Sequence, residues 1–356
     1  MRPVERLALR TRFSLEQAAR VGWYASQSIA GTRLARRVAR ELPKVDPPTI
    51  EAPAGVPDRA TLLRHVRALL VRDLKNVEDG LYPLPQDEPG GIPGLVKRRR
   101  RYMADVPNVM RRRATQSHQE VVESGAARPR YYLQNFHFQT DGWLSEESAE
   151  LYDTQVETLF FGAAAAMRRQ ALVPIAEAAA QTDQRQLRLL DVASGSGAFL
   201  RDVRRAFPRL PVIASDLSEP YVGRARTMLG RGARSGAVCA AAEALPFADD
   251  VFPLVTNIYL FHELPPKVRP LVAAQMARIA APHGHVIVID SLQTGDTPEL
   301  DGLLELFPQL FHEPYYRSYL TTDVVALFEA AGLELDASWP AFVSKVFVFK
   351  KPGRPA

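Results

Sequence analysis

The chain has 356 residues, 46% hydrophobic and 24% charged, with 45 Lys and Arg against 40 Asp and Glu for a net charge of +5. That composition is ordinary for a soluble globular protein with a sizeable core, and the length exceeds what one such domain needs. The single cysteine, Cys239, excludes an internal disulfide and fits a reducing interior; in the strand-like run GAVCAAA it reads as a small buried side chain.

Arginine is dense near the start. No uninterrupted apolar segment accompanies it, so neither a secretory leader nor a membrane span is expected, and the location is read as cytoplasmic. Residues 1–44 form a basic segment in which a helix is predicted from residue 13 to 42, with Leu34, Val38 and Leu42 on one stripe and Arg33, Arg36, Arg37 and Arg40 elsewhere. Trp23 and Tyr24 leave two readings open: a peripheral helix on an anionic membrane, or, preferred, a helix packed on its own domain.

Repeated proline rules out continuous helix over the connector 45–57. A helical region, 58–144, follows: Asp58 is an N-cap for RATLLRHVRALLVRDLKN, and a turn-rich passage leads to the cluster KRRRRYMADVPNVMRRR. Clustered arginine suits a phosphate backbone, but Tyr102 is the one aromatic ring within the cluster, so a solvated face is preferred and nucleic acid is disfavoured as a partner. The passage YYLQNFHFQTDGWLS, 131–145, concentrates rings around Asn135, His137, Gln139 and Asp141, and Ser145 caps the helix after it.

From residue 145 to 350 strands and helices alternate. Strands are predicted near 187–193, 211–215, 236–241, 253–259 and 284–290, with helices near 198–207, 218–229 and 266–280, which calls for a parallel sheet. The runs LELDASWP and AFVSKVFVFK at the end suit an antiparallel hairpin. In LLDVASGSGAFL, a buried strand ends in Asp191 and turns through Gly195 and Gly197 into a helix, so bare backbone and free N–H groups face a ligand. The loop lacks the third glycine of a dinucleotide motif and the lysine of a phosphate loop. Asp216, at the tip of the second strand, is placed to accept hydrogen bonds from a ribose diol.

Together, Asp191-Val-Ala-Ser-Gly195-Ser-Gly197, Asp216, AEALPFADDVF and the turn at Pro282-His283-Gly284 resemble, in order, the motifs of class I S-adenosylmethionine (SAM)-dependent methyltransferases. The nearest subgroup is that of the small-molecule ubiquinone and menaquinone C-methyltransferases. The chain departs from the pattern at Ala193, which stands for the first motif glycine, at Ala241, where many relatives carry an acid facing the adenine amine, and at Pro253. The resemblance implies an α/β fold, a doubly wound, mostly parallel seven-stranded sheet with a C-terminal antiparallel hairpin, preceded by a mainly helical extension. It assigns Asp191, Ala193, Gly195 and Gly197 to the methionine part of SAM, Asp216 to the ribose, and Leu217 with Glu243, Ala244 and Leu245 to the adenine.

On the acceptor side, the resemblance points to the end of the fourth strand, where Tyr259 and His262 are the candidate catalytic residues, His262 for its suitable intrinsic pKa. His137, from the aromatic passage, and His312, Tyr315 and Tyr316, from a long insertion after the fifth strand, are candidates for covering a substrate. The histidines lack ligand spacing, and methyl transfer from an activated sulfonium requires no metal. Without an N-P-P-Y run, paired glutamates or a cysteine near the fourth strand, a small organic acceptor remains, possible identities being apolar or aromatic. A noncatalytic SAM-binding or scaffold protein and an RNA methyltransferase are the alternatives, and the oligomeric state is open.

Overall fold

The structure is a computed structural model that describes residues 2–41, 51, 53–88, 90–121, 128–230 and 234–353. Three long helices come first: α1 (Pro3–Glu41), α2 (Arg59–Glu78) and α3 (Gly91–Thr115). Most of the expected proline-rich connector lies outside the described residues. The Asp58 carboxylate caps α2 by accepting from the Thr61 N–H at 2.8 Å, as its sequence position predicts.

The buried face of α1 differs from the expected stripe. Leu34 and Val38 are half-buried, Leu42 is outside the described residues, and the helix instead buries Phe13, Gln17, Arg20, Tyr24, Gln27 and Gly31 at alternating spacings of four and three. Gly31 lets α3 come close, since a Cβ there would lie 3.3 Å from the Tyr102 hydroxyl. Arg20 is 6% exposed; it donates to the Gly162 carbonyl at 2.8 Å and pairs with Glu157 at 2.8 Å. A buried guanidinium needs such partners, so α1 is keyed into the rest of the chain through polar contacts. The arginine cluster lies on α3 and is partly engaged: Arg98 and Arg101 pair with Glu88 and Glu150, and Arg112 donates to the Phe138 carbonyl at 2.8 Å. Among the described residues no helix is long and apolar enough to cross a membrane.

After α3 the aromatic passage winds through left-handed conformations at His137, Phe138, Asp141 and Gly142. It leads to α4 (Glu146–Leu159), whose cap Ser145 accepts from the Ser148 N–H at 3.0 Å, then to α5 (Ala164–Arg169) and α6 (Leu172–Gln181). Here Arg169, 1% exposed, meets Asp73 at 2.6 Å and Asp87 at 2.5 Å, locking α2 and its following loop onto α5.

The alternating region then builds β1 (Leu189–Val192), α7 (Ala198–Ala206), β2 (Val212–Asp216), α8 (Glu219–Leu229), β3 (Gly236–Cys239), β4 (Phe252–Ile258), α9 (Arg269–Ile279) and β5 (Ala280–Ser291). The insertion contributes α10 (Asp301–Leu310) and α11 (Tyr316–Tyr319), and the chain closes with α12 (Val324–Glu329), β6 (Glu334–Ala341) and β7 (Ser344–Lys350). The seven strands lie in the order β3-β2-β1-β4-β5-β7-β6; β5 pairs with β7, and β7 with β6, antiparallel, and the other neighbours are parallel. This is the expected α/β sheet with its C-terminal hairpin. Apolar cores cover both faces, with Leu189, Leu254 and Ile287 on one and Leu190, Val255 and Val288 on the other, as alternating side chains of a doubly covered sheet require. Cys239 corrects its expectation: it is exposed, because β3 is the edge strand and has no neighbour to bury its end.

Candidate functional site

The sheet order reverses at β1, which has β2 on one side and β4 on the other, both parallel to it, so a crevice opens at the carboxyl ends of these strands. The loop leaving β1 lies in it. Ala193 and Gly195 both have φ of 55°, and Gly197, the cap of α7, has φ of 78°. The two glycines serve different ends. At Gly195 a Cβ would meet nothing within 4 Å, so its bare backbone faces open space, whereas at Gly197 it would stand 2.9 Å from the Ala225 Cα of α8.

Two carboxylates flank this loop. Asp216 accepts from the Gly195 N–H at 2.8 Å through one oxygen and from the Ser218 N–H at 2.9 Å through the other, which leaves lone pairs for further donors. Burial pushes its carboxyl up, while main-chain N–H groups of Ser218, Gly195 and Leu217 pull it down. Asp191 is 2% exposed and accepts from the Thr256 hydroxyl on β4 at 2.6 Å; burial lifts it to about 7.

A cavity enclosing about 1100 Å³, its open mouth included, joins these groups. Of the expected cofactor set, Asp191, Ala193, Gly195, Asp216, Leu217 and Glu243 line it. Gly197, Ala244 and Leu245 do not: Gly197 shapes the turn, and Leu245 is 4% exposed in the core. Glu243 accepts from the Tyr131 hydroxyl at 2.6 Å, tying the aromatic passage to the rim.

Much of the remaining lining is aromatic. Tyr131, Tyr132 and Trp143 come from the passage before α4, Tyr152 from α4 and Tyr221 from α8, with Arg168 of α5 beside them. The aromatic passage is thus a cavity wall, and it is also packed, since Phe136 stacks on Trp143 at 4.3 Å. Tyr152, Tyr221 and Arg168 were not among the expected site residues; they sit on helices whose sequence shows only mixed polarity.

Tyr259 lines the cavity with φ of 64°, its hydroxyl 2.7 Å from Ser344 Oγ. Burial holds its phenol well above the usual range, so it is a neutral donor or acceptor at ordinary pH. His262 corrects its expectation. It does not line the cavity, and its Nδ1 lies 2.6 Å from Asp290 Oδ1. Burial pushes the imidazole down, but the Asp290 charge and hydrogen bond outweigh it and raise the group to about 9, so His262 is a cation at neutrality and holds no free lone pair for a proton.

The expected substrate residues also move. His137 sits between two carboxylates, Nε2 at 3.3 Å from Glu263 and Nδ1 at 2.8 Å from Glu313. Burial disfavours its charge, yet Glu313 above all lifts it to about 10. His312 stacks on His118 at 4.2 Å and contacts Gln134 at 2.7 Å; burial and then the His118 charge lower it to about 4. The Tyr316 hydroxyl is 2.6 Å from Ser291 Oγ, and the Tyr315 carbonyl accepts from Arg269 at 2.9 Å. None of these four lines the cavity; from the insertion, Glu313 pairs with His137 and the Tyr316 ring meets His262 edge-on. Glu263, the residue after His262, does line the cavity.

Residues 189–284 match the family model of a methyltransferase domain. The chain is 29% identical over 156 residues to a ubiquinone/menaquinone biosynthesis C-methyltransferase of Desulfotalea psychrophila, a match covering 44% of this chain and 59% of the relative. It is 30% identical over 145 residues to a demethylmenaquinone methyltransferase of Thermus thermophilus, covering 40% and 62%. The chain thus spans about three fifths of the curated relatives it matches. Magnesium protoporphyrin IX methyltransferase from Synechocystis, solved with bound SAH, aligns at a TM-score of 0.39 and 16% identity over 52% of this chain and 82% of that one. Its motifs, its strand order and its matched segment agree: residues 189–284 are similar to a methyltransferase domain, of the kind that the class I enzymes using S-adenosylmethionine carry.

Proposed function

We propose that the chain transfers a methyl group from SAM to a small apolar or aromatic acceptor. The observation that carries this reading is one cavity lined both by a carboxylate and glycine loop and by five aromatic rings, Tyr131, Tyr132, Trp143, Tyr152 and Tyr221. The carboxylate and the loop fit SAM. Asp216 retains lone pairs for a ribose diol, Gly195 leaves open space beside its backbone, and Leu217, Ala240 and Ala242 offer a flat apolar surface to a base.

SAM supplies an activated methyl group when bound. The chain's own contribution is then alignment and exclusion of water, which can lower a barrier by several kcal/mol when reacting atoms are held in line. Tyr131, Tyr132, Trp143 and Tyr152 would stack or fence a planar acceptor. Arg168 is paired with Glu157 at 2.7 Å, which holds the guanidinium in place at the cavity lining. The two curated relatives are named for quinone biosynthesis, which favours a quinol or phenol as the first acceptor to try.

The test is incubation with SAM labelled in its methyl group and a panel of quinols and phenols. Label passing into an acceptor that a blank lacks supports transfer. Label that stays in SAM across the panel and a whole-metabolite extract, from a protein that binds SAM, would return the chain to a noncatalytic SAM-binding role.

A further inference from the structure

One carboxyl of the cavity is not among the groups that flank the glycine loop. Glu263 follows β4 in a single turn of 3-10 helix, Phe261–Glu263, is 7% exposed, and lines the cavity. Its Oε2 is a buried oxygen with no hydrogen-bond partner of good geometry among the described residues, and the Glu263 carboxyl lies close to that of Glu313. Its Oε1 is 3.3 Å from His137 Nε2, and the other nitrogen of that ring is 2.8 Å from Glu313, whose side chain is fully buried. Three segments far apart in sequence thus meet in one cluster, with an atom of each of Glu313, His137 and Glu263 within 4.8 Å of the others. His137 is held there at φ of 54°, a conformation that a residue with a Cβ adopts at a cost.

We propose that Glu263, held by the Glu313 and His137 pair behind it, is the group that takes the proton of the methyl acceptor. The proposal rests on the methyltransferase reading and adds the residue that completes the reaction. As the acceptor atom bonds the methyl carbon, the carbon–sulfur bond breaks and its electron pair stays on sulfur. The acceptor's own proton passes to the Glu263 carboxylate. A neutral acceptor with an ionisable O–H, N–H or acidic C–H is the class such a group serves.

The surroundings suit that task. Glu263 and Glu313 are both buried acids, and like charges so placed resist joint ionisation. Burial, and then the Glu313 charge, pushes Glu263 up to about 7, while His137 and His262 pull it down. The charged and titratable groups around it are His137 from the aromatic passage, Glu313 from the insertion, His262 with Asp290 behind it, and Tyr152 from α4. Both imidazoles are held as cations, so Glu263 is the member of this group whose charge changes near neutrality. The other cavity acid lifted to about 7 is Asp191, which lies on the glycine-loop side and is bonded to Thr256.

Proton release on cofactor binding tests this without an acceptor in hand. SAM carries a sulfonium charge and SAH, the spent cofactor, does not, so a cation arriving in the cavity favours ionised Glu263. Titrating each into the full-length protein by calorimetry, at pH 7 in buffers of different ionisation enthalpy, counts the protons released. The expected result is release of up to about half a proton per SAM, the share a group titrating near 7 still holds at that pH, and none with SAH. Glu263→Gln should bind SAM but release none. Equal release with SAM and SAH, no release with SAM, or release that persists in Glu263→Gln and disappears in Asp191→Asn would overturn the proposal. Where Glu263→Gln fails to fold, Asp191→Asn carries the test, because release that survives in it does not come from Asp191, and release that disappears in it overturns the proposal. A wild type that binds neither ligand refutes the methyltransferase reading itself, and is thereby distinguishable.

Discussion

The Gly195 N–H donates to Asp216 Oδ2 at 2.8 Å, across 21 residues of sequence, and this bond joins the loop after β1 to the tip of β2. The carboxylate therefore holds the loop as well as presenting lone pairs to a ligand. A substitution there affects both, and affinity and stability must be read separately.

Ala193 and Gly197 should respond in opposite directions. Both have positive φ, but Ala193 carries a Cβ there, whereas at Gly197 a Cβ would stand 2.9 Å from the Ala225 Cα. Ala193→Gly is expected to relieve strain and stabilise by up to about 1 kcal/mol, whereas Gly197→Ala should destabilise by roughly 1–3 kcal/mol. Urea unfolding of the two variants checks the signs.

Arg169→Met should be severe. It removes the guanidinium between Asp73 and Asp87 and leaves both carboxylates buried without their cation, a loss on the order of 3–5 kcal/mol. Because the three residues bind α2 to α5, thermal unfolding of the variant should show the N-terminal helices melting ahead of the sheet, where the wild type melts in one step.

Stability should fall on the alkaline side. His262 has a folded-state pKa raised to about 9 and His137 one raised to about 10, both above the free value near 6.5. The stabilisation from each pair is fully present below about 6.5 and is lost as pH rises through about 9 to 10. Urea midpoints between pH 6 and 10 should therefore decline, and His262→Gln should flatten the part of the decline near 9. The buried acids Glu263 and Asp191, both raised to about 7, act earlier: their ionisation removes stability as pH climbs from about 4 to 7.

Trp143 lines the cavity, whereas Trp23 lies beneath Arg99 on α1. Tryptophan emission should change on adding SAM, and Trp143→Phe should remove most of that change. An unaltered response in the variant would place the ligand elsewhere.

Much of the sheet was legible because its signals are local. Each strand is an apolar run, the crossovers after β1, β2 and β4 are helices, and the glycine loop with Asp216 lies within one strand–helix–strand unit. What escaped depends on partners distant in sequence. His262 reads as a free imidazole until β5 brings Asp290 to 2.6 Å, and Glu263 reads as an ordinary acid until His137 and Glu313 arrive. The stripe on α1 misled because that helix packs through Gln17, Arg20 and Gln27, whose burial depends on acids and hydroxyls elsewhere. Cys239 looked buried because its run is apolar, and strand order, which decides an edge, is not written in any one strand.

Calorimetric titration of SAM into the wild type and Asp216→Asn tests the central claim most directly. The account predicts one SAM per chain, with affinity weakened about ten- to a hundred-fold in the variant, as losing a charge-assisted hydrogen bond to the ribose implies. A wild type that takes up no SAM, or a folded variant that binds it equally well, would contradict the account.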